Sequence, residues 1–309
     1  MVGESGTPVV IVTGAGRGLG REHALALARA GYAVVVNDLG GAGDGTGADQ
    51  TPAQSVVEEI KALGGQAIAD GTDVADWTAA GAMIEKAVNT FGRLDGLVNN
   101  AGILRDRMFI NMTEQDWDLS IRVNLKGAAA PLHHAGRYWR DLSKQSGAPV
   151  KAAVVNTTSA SGLYATPGQA NYASAKSAVA TLTQVAAREM ERYGVRVNAI
   201  APVAATRLTE AVMSEAIRDK FAPAAVSPLV VYLLGDASAG VTGRIFEVGG
   251  GLVSAVDMWR PVAGRRASGG LTTAFLESVG PGLMAELPAS ITSTDAMKFM
   301  TALPESKEG

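Results

Sequence analysis

The 309-residue sequence contains no cysteine. That excludes disulfides, thiolate nucleophiles and cysteine-ligated metals, and it is compatible with a reducing compartment. Histidine is nearly as scarce. Only His23, His133 and His134 occur, so no structural zinc site, and no metal of any kind, is expected. No apolar run approaches the roughly 18–20 residues that a membrane span needs. The opening residues, MVGESGTPVVIVTG, lack the basic stretch and apolar core of a secretory signal. An excess of either charge is missing as well. A net charge of −3 with 18% charged residues gives no electrostatic reason to expect nucleic acid or an anionic membrane as partner. A soluble, cytoplasmic globular protein is expected, with 47% hydrophobic residues to build its core.

Short β-branched runs alternate with helical patterns along most of the chain. PVVIVT (Pro8–Thr13) and AVVVN (Ala33–Asn37) have the continuous apolar character of parallel strands buried on both faces. Further strands are expected near Gln66–Ala69, Gly96–Asn99, Ala152–Thr158, Val195–Ile200 and Arg244–Val248. Helices are expected between them, including one long segment from Thr113 through Asn124 to about Leu142, with SKQSGAP after it as a loop tip. No repeat of fixed period interrupts the alternation. The fold class is therefore α/β: a single Rossmann-type, doubly wound, mainly seven-stranded parallel sheet with helices on both faces. Residues 1–255 form this domain, and 256–309 a C-terminal extension, part loop and part helix, packing on the same domain or on a neighbouring subunit.

TGAGRGLG follows the first strand and opens the first helix, the context that a dinucleotide-binding motif needs. Gly14 permits a sharp turn, while Gly18, Leu19 and Gly20 begin a helix whose free N–H groups suit a pyrophosphate. Asp38 ends the second strand, near the distance of about 20 residues at which an acid reaches the adenosine ribose. A carboxylate there accepts ribose hydroxyls and repels a 2′-phosphate, so NAD is expected over NADP. Arg17 argues the other way, since a guanidinium could bind that phosphate. Asp73 and Val74 close the third strand on the adenine side, although a helix N-cap is an equally ordinary role for Asp73. Leu39–Pro52 is Gly-rich and longer than most such connections.

The chemistry concentrates in Val155–Lys176, VNTTSASGLYATPGQANYASAK. A buried strand runs into small hydroxyl residues, and Tyr172 and Lys176 then stand at i, i+4 on one helix face. A phenol, an ammonium and a hydroxyl (Ser159, with Ser161 as rival) thus meet at the carboxyl end of a strand, where open α/β sheets bind ligands. A free tyrosine ionises near pH 10, so use as a base near neutrality needs a drop of about 2–3 units, worth about 3–4 kcal/mol. Lys176, one turn on, is expected to supply much of that drop.

These motifs, with NNAG (Asn99–Gly102) and VNLKG around Asn124, resemble the short-chain dehydrogenase/reductase superfamily over roughly residues 6–255. NDLGG, NNAGILRDR, TSASG, GQANYASAK and FEVGGG narrow the resemblance to the (3R)-hydroxyacyl-CoA dehydrogenase portion of peroxisomal multifunctional enzyme type 2, also called 17β-hydroxysteroid dehydrogenase type 4, and to its actinobacterial relatives. The resemblance implies cofactor contacts from Asn99, Ala101, Gly102, Tyr172, Lys176 and Pro202. It selects Ser159 over Ser161, and it gives Asn124 the role of bending its helix so that a water relays protons to Lys176. It also implies a homodimer or homotetramer. The chain departs from the family's Pro-Gly after the sixth strand, reading APVAATR instead.

The expected activity is hydride transfer between NAD(H) and a secondary alcohol or ketone of 3-hydroxyacyl-CoA or 17β-hydroxysteroid type. An NADPH-dependent 3-oxoacyl reductase of fatty-acid synthesis is the enzymatic alternative, and a non-catalytic NAD-binding scaffold the alternative from another class. Arg105 and Arg107 could meet CoA phosphates or simply form surface salt bridges. His133-His134 and Trp117, Trp139 and Trp259 are read as surface, interface or packing residues. The lid between Pro202 and Val226 and the tail beyond Ala255 are expected to shape the substrate pocket.

Overall fold

A computed structural model describes residues 6–47, 49, 51–204, 221–257 and 259–303. Among the described residues, eight strands form one sheet in the order β3-β2-β1-β4-β5-β6-β7-β8. The first four are β1 (Val9–Thr13), β2 (Ala33–Asn37), β3 (Ala67–Asp70) and β4 (Gly96–Asn99). They are followed by β5 (Ala152–Thr157), β6 (Val195–Pro202), β7 (Ile245–Gly249) and β8 (Leu252–Val256). β1 to β7 run parallel, which bears out the expected sheet, and β8 pairs antiparallel with β7 at its edge. The chain reverses direction of winding between β1 and β4, which leaves a crevice at the carboxyl ends of those two strands.

Helices cover both faces because the central strands are apolar on both sides. α1 (Gly18–Arg29), α2 (Thr51–Ala62) and α8 (Ser227–Leu234) enclose one core around Val10, Val34, Val98 and Val155. α3 (Trp77–Phe91), α5 (Gly127–Ser146) and α7 (Ala170–Met190) enclose the other around Ile11, Val35, Leu97 and Trp139. The ends of these helices follow their local chemistry. Asp76 caps α3 by accepting from the Ala79 N–H at 2.9 Å, and Gly92 closes it at φ 81°.

Three features depart from the sequence reading. The long segment after Thr113 is two helices, α4 (Glu114–Ile121) and α5, joined by a π-helical turn over Arg122–Lys126. Asn124 sits in that turn and uses its side chain on backbone groups, which a helix pattern does not reveal. SKQSGAP is helical to Ser146 and is stopped by Gly147 at φ 70°. β8 is an edge strand that the sequence reading did not include, and the tail beyond it contributes two helices, α9 (Thr273–Ala285) and α10 (Ser293–Thr301). α10 packs on β8 and on α6 (Ala160–Tyr164), burying Met300 completely. Most of the expected lid, residues 205–220, lies outside the described residues.

Candidate active site

The crevice at the switch point is a cleft of about 350 Å³, lined at one end by Gly18 and Asp38 and at the other by Ser159, Tyr172 and Lys176. Its floor is the turn after β1. Gly14 has φ 62°, and a Cβ there would stand 2.8 Å from the Ala101 Cα, so the two turns touch through bare backbone. Gly18, at φ 53°, faces open space instead, leaving the start of α1 approachable. Asp38 is fixed at the cleft edge. Its Oδ2 accepts from the Gly16 N–H at 2.7 Å and its Oδ1 from the Gly40 N–H at 2.6 Å. Leu19, Asp73, Val74, Ala101, Gly102 and Pro202 all line the same cleft. Asp73 accepts from the Ala75 N–H at 2.9 Å and pairs with Arg122, while the N-cap of α3 falls to Asp76. Exposed Arg17 lies by the cleft with Nη1 3.5 Å from the Gly41 carbonyl.

Asn99 does not reach this cleft. It is the last residue of β4 and points into the protein, donating to Asn156 Oδ1 at 2.9 Å and to the Ala128 carbonyl at 3.1 Å. Its neighbour Asn100, not selected from the sequence, holds the floor together by donating to the carbonyls of Thr13 and Gly14 at 3.0 and 3.1 Å. Thr13 returns the contact, its Oγ1 accepting from the N–H groups of Asn100 and Ala101 at 3.0 and 3.1 Å. Sequence alternation carries the signal: successive strand side chains point opposite ways, so of two adjacent asparagines only one can face the turn.

At the other end, β5 delivers the chain to Ser159, which caps the five-residue α6. Tyr172 and Lys176 project from the first turns of α7. The Ser159 hydroxyl is near enough to the Tyr172 phenol to favour its ionisation, and its Oγ accepts from the Ser161 N–H at 3.2 Å, whereas the Ser161 hydroxyl donates to Gln169 Oε1 at 2.6 Å and is directed elsewhere. Lys176 is 3% exposed, and its Nζ donates to the Thr157 carbonyl at 2.8 Å and lies 5.7 Å from the Tyr172 ring centroid. Gly162 has no room for a side chain, because a Cβ would come within 2.7 Å of the Lys176 backbone. α6 is therefore seated directly on the start of α7.

The ionisation of this pair differs from the sequence expectation. Burial pushes the Tyr172 phenol up to about 12; nearby Ser159 opposes the rise, and Asp106 adds a smaller one. Burial also pushes the Lys176 ammonium down to about 8. Desolvation disfavours both charged forms, and here it outweighs the attraction between them.

Asn124 is buried under the turn after β4. Its Oδ1 accepts from the Ile103 N–H at 3.2 Å, and its Nδ2 donates to the Ile103 carbonyl at 3.0 Å and to the Ser120 carbonyl at 3.0 Å. Both polar groups of residue 103 are thereby held by one side chain. Gly102 lies above it, where a Cβ would stand 2.7 Å from Asn124 Oδ1 and 3.5 Å from Lys176 Nζ.

Arg105 and Arg107 are salt-bridge residues: both pair with Asp116, at 3.1 and 2.9 Å. Asp116 also closes a capping box with Thr113, and these partners hold its carboxyl down at about 2. His133 and His134 cluster with Trp77, and Trp139 is a fully buried packing residue donating to the Leu94 carbonyl at 2.7 Å. Trp259, in contrast, is 74% exposed. Among the described residues no cluster of potential metal ligands occurs, and no helix is long and apolar enough to cross a membrane.

A Rossmann-type sheet with a glycine-floored cleft at its switch point, ending in a Ser–Tyr–Lys cluster, defines the class of dinucleotide-linked oxidoreductases. The family model for short chain dehydrogenases matches residues 8–218, and the chain belongs to that family. It is 42% identical over 301 residues to peroxisomal multifunctional enzyme A of Dictyostelium discoideum, covering 97% of this chain and 64% of that enzyme. The chain therefore spans less than two thirds of that relative. It is 42% identical over 259 residues to hydroxyacyl-CoA dehydrogenase ChsB1 of Mycobacterium tuberculosis, covering 80% of this chain and 79% of that protein. A crystal structure of a short chain dehydrogenase from Mycobacterium avium superposes with a TM-score of 0.83 at 46% identity, covering 94% of this chain and 99% of that one.

Proposed function

We propose that this protein is an NAD-dependent dehydrogenase of a secondary alcohol, with a 3-hydroxyacyl-CoA as the favoured substrate class. The observation that carries this reading is the convergence of Ser159, Tyr172 and Lys176 on the cleft whose far end holds Asp38. The names of relatives that are hydroxyacyl-CoA dehydrogenases support the acyl-CoA class over a hydroxysteroid. Asp38, a fixed carboxylate at the ribose end, supports NAD over NADP.

The residues fit such a cofactor. Gly18 leaves the N-terminus of α1 open to a pyrophosphate, and the Asp38 oxygens already lie at the cleft edge. The pocket-lining Asp73, Val74, Ala101, Gly102 and Pro202 would flank it, while Asn99 would act only through the sheet beneath. When bound, the oxidised nicotinamide accepts hydride, and its positive charge favours the phenolate. Ser159 orients the substrate oxygen toward the Tyr172 hydroxyl. Tyr172 takes the alcohol proton in oxidation and returns it in reduction. Lys176, anchored by the Thr157 carbonyl, stabilises negative charge on Tyr172 and is placed to hold the nicotinamide ribose. Asn124 fixes the Ile103 peptide and so the wall next to Lys176. Residues 256–303 form part of the same unit, since α10 packs on α6.

A panel of NAD+ with 3-hydroxyacyl-CoAs and 17β-hydroxysteroids tests this assignment. NADH formation with the CoA esters is expected. Turnover confined to steroids overturns the substrate class, and clearly better turnover with the phosphorylated cofactor overturns the role of Asp38.

A further inference from the structure

The Gly-rich segment Leu39–Gly47, left without a role by the chemistry above, leaves the end of β2 and does not stay beside it. Its far side docks on residues that follow β4. The Leu104 N–H donates to the Gly43 carbonyl at 3.0 Å, and Arg105 Nε donates to the Asp44 carbonyl at 2.9 Å. β2 and β4 are not neighbours, because β1 lies between them. The segment therefore crosses above the carboxyl end of β1 and the turn at Gly14, and Gly41, Gly43 and Gly45 line the cleft from above.

The two ends of this crossing are unequal. On the β4 side, Arg105 is anchored to rigid parts. Its guanidinium pairs with Asp116 Oδ1 at 3.1 Å, and its carbonyl accepts from Asn171 Nδ2 at 3.0 Å. Asn171 in turn accepts from the Tyr172 N–H at 2.7 Å at the start of α7. On the strap side the partners are main-chain carbonyls, and bare Gly45 faces Ile103 and Leu119. One guanidinium thus reaches both a buried carboxylate and the strap, using different nitrogens, which a planar fork can do and an ammonium cannot do as well.

We propose that Leu39–Gly47 is a strap that retains the dinucleotide in the cleft, and that Arg105 is the positioning residue that latches it. The proposal rests on the reading of the cleft as a nicotinamide dinucleotide site. It concerns how long the cofactor stays rather than the hydride step.

The test is the rate of NADH release from the full chain, followed by stopped-flow fluorescence, in Arg105→Lys, in Gly45→Val and in the double variant. Arg105→Lys keeps a cation for Asp116 but loses the fork to Asp44. Gly45→Val leaves Arg105 untouched and lifts the strap, since Gly45 has φ +88° and a Cβ would stand 3.0 Å from Ile103 Cδ1. Each single variant is expected to release NADH about tenfold faster, the effect of losing one charge-assisted contact. The double variant is expected to be no faster than the singles, because both open the same latch. Unchanged release in the single variants, with or without a fall in Tm, overturns the latch, as does a double variant whose effect is the product of the two. Failure of the unaltered protein to bind NADH overturns the cofactor reading, and the strap with it.

Discussion

The Nζ of Lys176 lies 5.7 Å from the centroid of the Tyr172 ring and donates to the Thr157 carbonyl at 2.8 Å. The lysine is thus tied to the end of β5 rather than to the phenol, and burial pushes its ammonium down to about 8. In an unfolded chain a lysine ionises near 10.4. Between these values the unfolded state binds more protons, so folding gains stability as pH rises through the window. Below about pH 8 the full cost of burying the charge, about 3 kcal/mol, is present. The stability difference between the unaltered protein and Lys176→Met, measured by urea unfolding, is expected to move in favour of the unaltered protein from about pH 8 to about pH 10. A difference that stays flat over that range contradicts it.

Asp38 offers a second prediction. Both carboxylate oxygens accept backbone N–H groups, at 2.7 and 2.6 Å, so its charge is held in place at the cleft edge. Asp38→Asn removes that charge and keeps one acceptor. The ratio of kcat/KM for NADP to that for NAD is expected to rise by about tenfold or more, the equivalent of about 1.4 kcal/mol of removed repulsion. An unchanged ratio assigns cofactor choice to other residues.

Behind Ser159, the Tyr164 hydroxyl donates to Glu247 Oε2 at 2.7 Å, joining α6 to β7. Glu247 is 3% exposed, and burial raises its carboxyl above the ordinary range. Tyr164→Phe leaves that acceptor without its partner and is expected to cost about 1–3 kcal/mol of stability. Because α6 carries Ser159 at its start, kcat is expected to fall more than KM changes. Thermal unfolding and initial rates check the two parts separately.

The C-terminal extension makes a further case. Met300 of α10 is completely buried, although its neighbours in sequence are exposed. Met300→Ala is expected to destabilise the protein by about 2–5 kcal/mol if α10 folds with the sheet as one unit. A separate transition of the tail, with the main transition unmoved, contradicts that.

Much of the sheet was legible because its strands are short apolar runs bounded by glycine, and Tyr172 and Lys176 were legible because helix spacing puts them on one face. β8 was missed, although Gly250-Gly251 before it is a hairpin signal, since its alternate residues are exposed and its pattern is short. The π-helical turn at Asn124 depends on contacts with Ile103, distant in sequence, and no local pattern encodes it. Arg105 and Arg107 were read as meeting CoA phosphates or forming surface salt bridges, and their partner Asp116 was not legible because it lies beyond any helical spacing from them. The same holds for the phenol of Tyr172, whose burial outweighs the groups that favour its ionisation. Spacing indicates proximity, but the cost of burial depends on the walls around both groups.

The central claim is that Tyr172 transfers the proton in an NAD-linked oxidation. Its most direct test is the initial rate of NADH formation from NAD+ and a 3-hydroxyacyl-CoA, compared between the unaltered protein and Tyr172→Phe under saturating cofactor. The account predicts steady NADH formation by the unaltered protein and a fall of about 10²–10⁴-fold in the variant, with NADH binding retained. Equal rates in the two proteins would contradict it.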